Sequence, residues 1–183
     1  APGPSVGNQS AGSMNTWPPD AQLTTYINNS LNQPNQGYHN ATILEFDFVP
    51  YTNEISFNFV FASEEYGGFQ CSYSDAFAFF LTNVATGQTT NLAIVPGTTD
   101  PISVVTIRDQ AHNTSCNSVN PEYFGSYNLN NGISAINFRG ETVKMQAYSE
   151  VTPGSQYHIK LVIQDRGDGS YDSAVFLEAG SFS

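Results

Sequence analysis

The chain has 183 residues, 39% of them hydrophobic and 11% charged, with 13 Phe and 10 Tyr. That is enough apolar chain for one sizeable core, and it is too aromatic for a disordered segment. Sixteen acidic against 5 basic residues give a formal net charge of -11, which excludes nucleic acid as a partner and makes anionic membranes unfavourable, since phosphates need clustered Lys and Arg.

Residues 1–19 are rich in Pro, Gly, Ser and Asn and read as an irregular arm. Pro18, Pro19 and Asp20 then mark a helix entry with Asp20 as N-cap, and Leu23, Tyr26, Ile27 and Leu31 follow at helical spacing. The stretch 32–37 breaks that helix, so 1–37 form an arm plus one short helix ahead of the main body. From Ala41 the period becomes two. In 43–49, Leu44, Phe46 and Phe48 alternate with Glu45 and Asp47; in 54–61, Ile55, Phe57, Phe59 and Phe61 take one face. Residues 75–82 are apolar on both faces, as in a central strand. Further strands are predicted at 91–95, 102–107, 142–149, 156–164 and 173–179, separated by Gly- and Pro-containing turns, with 108–132 as a long ordered loop. The pattern predicts a single all-β domain over 1–183, a jelly-roll-like two-sheet sandwich. Its inward face holds Ile55, Phe57, Phe59, Phe61, Phe77, Phe79, Ile159, Leu161, Ile163, Val175 and Leu177.

Two cysteines, Cys71 and Cys116, lie too far apart for a CxxC motif. A pair so spaced in a secreted β domain is expected to form one disulfide, worth roughly 4 kcal/mol in the chain-entropy model. No apolar run approaches the ~20 residues of a membrane span.

The densest chemistry is the acidic turn from Asp165 through Arg166, Gly167, Asp168, Gly169, Ser170 and Tyr171 to Asp172. Calcium takes six to eight oxygens, and glycines let a loop add backbone carbonyls to its carboxylates. The competing reading is a hairpin turn whose Asp residues bond their own backbone. With Asp75 opening one predicted strand and Glu65 closing another, the candidate calcium ligands are Glu65, Asp75, Asp165, Asp168 and Asp172. Their convergence requires these strand ends to share one rim. Glu64 and Glu65 are adjacent, so a strand there would send one inward and one to solvent. Candidate ligand contacts are Glu64, Tyr66, Tyr73, Arg166 and Tyr171, with the loop aromatics able to stack on sugars or anchor a peptide. The histidines, His39, His112 and His158, are scattered, and neither HExxH nor GxSxG occurs. No catalysis is expected.

Three segments together carry a resemblance: ATILEFDFVP (41–50) running into FVFASEEY (59–66), SDAFAFFLT (74–82), and YHIKLVIQDRGDGSYDSAVFLEAGSF (157–182). With NLAIVPGTTDPISVVTIRD (91–109) and AINFRGETV (135–143), the chain resembles the choice-of-anchor L domain along nearly its whole length. That family occurs in large bacterial surface proteins, often of Bacteroidetes with a type IX secretion signal. The resemblance implies surface display or adhesion, an anchor beyond the domain, and a further segment before Ala1 that supplies strands to one edge of the sandwich. It implies no catalytic residue. The run from Asp75 to Leu81 also looks like the legume-lectin strand that opens with a sugar-binding Asp beside calcium. The expectation is an extracellular adhesion or ligand-binding module, calcium-stabilised, taking a glycan or peptide. The alternatives are a structural spacer without a ligand and a carbohydrate-active enzyme.

Overall fold

The computed structural model describes residues 17–31, 36–128 and 135–183. The predicted helix forms as α1 (Ala21–Ser30), with the Asp20 side chain accepting from Leu23 N at 2.9 Å. The strands are β1 (Tyr38–Phe48), β2 (Glu54–Ser63), β3 (Ala76–Asn83), β4 (Thr89–Asn91), β5 (Phe124–Tyr127), β6 (Gly140–Thr142), β7 (Met145–Glu150), β8 (Tyr157–Arg166) and β9 (Ser173–Leu177).

They make the expected sandwich of two antiparallel sheets. One sheet runs in the order β1-β8-β3-β4. In the other, β2 is central: β6 and β7 share one of its edges, β9 lies along the opposite one, and β5 extends beyond β6. The register places the predicted apolar face of β2 against that of β3 and β8. Phe57 and Phe59 pack on Phe79, with ring centroids 5.1 and 4.9 Å apart, and Phe61 stacks on Phe77 at 5.0 Å. Ile55, Phe57, Phe59, Phe61, Phe77, Phe79 and Ile159 are buried as predicted, and Leu161, Ile163 and Val175 pack against them. Leu177 departs from the expectation: it shares this face but is 45% exposed.

β3 is apolar on both faces because its reverse side is covered too. Leu23 and Ile27 of α1 bury Ala76, Ala78, Phe80 and Val162 in a second, smaller core. Lys160 Nζ to Asp20 Oδ2 (2.5 Å) and Gln164 Nε2 to Thr24 Oγ1 (3.0 Å) fasten the helix to β8.

Several segments differ from the sequence reading. The strand predicted at 91–95 lies instead at β4, Thr89–Asn91, with Ile94 making only an isolated bridge to Pro101, and the one predicted at 142–149 divides into β6 and β7. Residues 102–107, apolar enough for a strand, form buried turns instead. The Ser74 hydroxyl accepts from Val104 N, and Ser103 O accepts from both Thr106 N and Ile107 N, so hydroxyls and local carbonyls take the backbone groups a ladder would need. The predicted loop 108–132 contains β5. β1 begins at Tyr38 rather than 43, with a register shift between His39 and Thr42 where Asn40 adopts φ 60. That is a bulge, and Asn tolerates the left-handed conformation it demands.

Candidate functional site

The ends of β2, β3 and β8 and the start of β9 meet at one rim. β2 ends at Ser63, so Glu64 and Glu65 occupy a turn rather than alternating. Both are buried, at 0% and 2% exposure, which corrects the expectation that one would reach solvent. Glu65 Oε2 accepts the Asp75 N–H at 2.7 Å, and Asp75 Oδ1 accepts Arg166 N–H at 3.2 Å. The other Asp75 oxygen, Oδ2, is buried without a hydrogen bond of normal geometry. On β8, Asp165 Oδ2 accepts from Asn40 Nδ2 at 2.6 Å, the contact for which the bulge aims Asn40.

The turn after β8 is shaped by Gly167, whose φ of +100 only glycine adopts easily, and by Tyr171, held left-handed at φ 65. Asp168 is exposed and accepts from Ser170 N at 2.9 Å, while the Asp172 carbonyl receives Glu64 N–H at 3.1 Å. Asp168 makes the local turn bond of the hairpin reading, and the turn also brings its carboxylates to the end of the sandwich where Glu65 and Asp75 lie.

The five predicted carboxylates lie within electrostatic reach of one another. Burial, then the Asp75 charge, with smaller terms from Asp168 and Asp165, pushes Glu65 well above the usual carboxylate range. Asp75 is raised likewise by burial first and by Asp165 and Asp172 next, against the opposing effect of the Ser173 hydroxyl. Asp165 is pushed up to about 6, by burial and then by Asp172 and Asp168, despite the Asn40 hydrogen bond. Burial also raises Asp172. In their charged forms these groups repel at a desolvated rim, and a proton or a cation relieves them.

A cavity of about 70 Å³ opens between Glu65, Phe69, Tyr73, Asp168 and Tyr171. Phe69 and Tyr171 are in contact, with centroids 4.6 Å apart, and the Arg139 guanidinium lies 5.5 and 5.3 Å from their ring centroids. Of the predicted ligand contacts, Tyr73 and Tyr171 line this cavity. Glu64, Tyr66 and Arg166 do not face solvent. Tyr66 is a core residue whose hydroxyl donates to Ile107 O at 2.9 Å, and Arg166 is 2% exposed. The Asp75 strand likewise departs from the lectin likeness, because its Asp is only 2% exposed. Asn40 and Arg139 were absent from the predicted site; only their positions in three dimensions mark them.

Cys71 and Cys116 are joined, with Cα atoms 5.6 Å apart. They bind the loop after Phe69 to the loop before β5. His158 sits on the outer face, as its alternation implies, with Asp47 at 2.8 Å and Glu45 at 3.4 Å. Among the described residues no helix is long and apolar enough to cross a membrane.

An antiparallel sandwich with one disulfide and an anionic rim has the design of an extracellular domain. The chain belongs to the choice-of-anchor L domain family, whose model matches residues 1–183, and so is a surface-associated module. No curated protein and no solved structure matches it.

Proposed function

We propose that the chain is a non-catalytic binding module of a larger surface protein, which holds calcium at its acidic rim and binds a glycan or peptide beside it. The observation that carries this reading is the meeting of Glu65, Asp75, Asp165, Asp168 and Asp172, drawn from four places in the chain, at one rim. Folding has buried Glu65, Asp75 and Asp165 and partly buried Asp172 beside the exposed Asp168, and a divalent cation is the counter-charge that oxygen-rich, anionic surroundings select.

The fit to calcium is partial. Among the described residues no three acidic, His or Cys side chains stand as a ligand set. Binding therefore requires Asp168 and Asp172, carried on the Gly-containing turn, to swing towards Asp165 and the buried Asp75 Oδ2. The ion would supply positive charge and fix the turn that presents Tyr171. Tyr73, Tyr171 and Phe69 then offer ring faces next to fixed carboxylates, the chemistry used to stack a sugar or clamp a peptide side chain. Glu65 and Asp75 are both almost wholly buried rather than open to a cleft that could hold a glycosidic bond, which favours binding over acid–base chemistry.

Glycan and peptide arrays probed in calcium and again in EDTA test the proposal. The expected result is a defined ligand class bound in calcium, weakened at least tenfold in EDTA and by Tyr171→Ala. An absence of binding in both conditions would favour a spacer. Hydrolysis of a glycan, lost in Asp75→Asn, would make the module an enzyme.

A further inference from the structure

The chain has five Lys and Arg residues, and one of them keeps its charge unspent. Lys144 and Lys160 pair with Glu178 and Asp20. Arg108 donates to the carbonyls of Asn117 and Gln70, and Arg166 is buried at 2% exposure. Arg139 differs. Among the described residues no carboxylate lies within ion-pair distance of its guanidinium, and its Nε is buried without a hydrogen bond. Residues 1–16, 32–35 and 129–134 contain no Asp or Glu, so no acidic side chain of this protein neutralises it.

What holds Arg139 is aromatic. Its guanidinium carbon lies 5.5 Å from the ring centroid of Phe69 and 5.3 Å from that of Tyr171. Ring quadrupoles attract a cation without cancelling its charge, so the fork is positioned and still able to meet an anion. Its Nη1 stands beside Gly68, an exposed residue on which a Cβ would come within 3.9 Å. The missing side chain leaves that edge of the fork open. Phe69 and Tyr171 also wall the cavity of about 70 Å³, together with Tyr73, Glu65 and Asp168. One pair of rings thus joins a cation to a cavity that holds two carboxylates.

We propose that the ligand of this site is an acidic glycan, and that Arg139 binds the carboxylate of a sugar acid within it. This rests on the binding role proposed above and names the class of ligand. A planar guanidinium matches the two oxygens of a carboxylate, and the ring faces of Tyr73 and Tyr171 suit the apolar face of a pyranose. Glu65 and Asp168 accept hydrogen bonds, which sugar hydroxyls donate. An acidic peptide brings a carboxylate but no row of hydroxyls, so these two groups repel it. A neutral glycan leaves Arg139 without an anion. A sugar acid satisfies both. At about 70 Å³ the cavity is far below the ~300–1,000 Å³ of a pocket that engulfs its ligand, so it takes the edge of a single sugar unit. The chain's net charge of -11 opposes an anion mainly through groups within about 8 Å at physiological salt, and a cation at the rim offsets the nearest of them.

Paired glycans that differ only in their carboxylates test this: uronic-acid oligosaccharides and the same chains reduced to neutral sugars, applied to the whole chain in calcium. The acid form should bind at least tenfold more tightly. That preference should fall to about one in Arg139→Gln and survive in part in Arg139→Lys. A packing role for Arg139 would lower both affinities together and leave their ratio unchanged, which overturns the proposal. If either variant fails to fold, the unaltered chain still decides: glucuronate should shift the Arg139 Nε–Hε resonance and glucose should not. Equal binding of the two glycans, lost in Tyr171→Ala, overturns this inference and leaves the binding role standing. Capture of peptides without any glycan does the same. Binding of neither class removes both.

Discussion

Asp165, Glu65 and Asp75 connect burial to a measurable pH dependence. All three have folded pKa values raised above those of the unfolded chain, that of Asp165 to about 6 against roughly 3.9 for a free Asp. The folded state thus takes up protons before the unfolded state does, and stability falls as pH rises through the folded values. In EDTA the denaturation midpoint should therefore rise as pH is lowered from 7.5 through 6 towards 5; a flat or falling profile would show that these carboxylates do not strain the fold. Calcium should flatten that slope by favouring the charged forms. Tyr66 belongs to a different class of residue. A Cβ at Gly140 would lie 2.7 Å from Tyr66 Cβ, so Gly140→Ala should cost roughly 1–3 kcal/mol by overpacking. Tyr66→Phe, which strands the Ile107 carbonyl, should cost about 1–3 kcal/mol on urea melts. Neither change should alter binding at the rim, a result that separates packing residues from the exposed Tyr73.

At the scale of elements, legibility followed burial. β2 announces itself by strict alternation because one of its faces is fully buried, and α1 by its N-cap and two buried apolar positions. β5 and β6 were not legible. They are three or four residues long, and Gly125 is there for close approach, since a Cβ on it would meet Thr142 O at 2.8 Å. The same limit applies to the site. Asp165, Asp168 and Asp172 stand out as a carboxylate-rich turn, but the company of Asn40, Phe69 and Arg139 depends on a bulge and on loops whose meeting no local pattern encodes. Packing depth makes a further prediction. Phe59→Ala should cost roughly 3–5 kcal/mol through a buried cavity. Leu177→Ala, on the same face and paired with Phe59, should cost less than about 1 kcal/mol because Leu177 is 45% exposed. Chemical denaturation of the two variants checks the contrast, and equal losses would mean that Leu177 is covered in solution.

At the scale of the whole molecule, a surface module with so few cations must manage its own negative charge. The sandwich leaves Glu45, Asp47 and Glu178 in solvent and gathers Glu65, Asp75, Asp165, Asp168 and Asp172 at one rim. Reducing the Cys71–Cys116 bond frees a loop of sequence separation 45 and should lower stability by roughly 4 kcal/mol on the chain-entropy model, measured by melts with and without reductant. The central claim is that the rim is completed by calcium. A thermal melt of the purified chain at neutral pH, in millimolar calcium and in EDTA, addresses it directly. At a hundredfold excess over Kd, binding adds about 2.7 kcal/mol, which for a domain of this size raises the midpoint by about 5–10 °C, and Asp75→Asn with Asp165→Asn should remove the increase. An identical midpoint in calcium and EDTA, with no metal found by elemental analysis, would contradict the account.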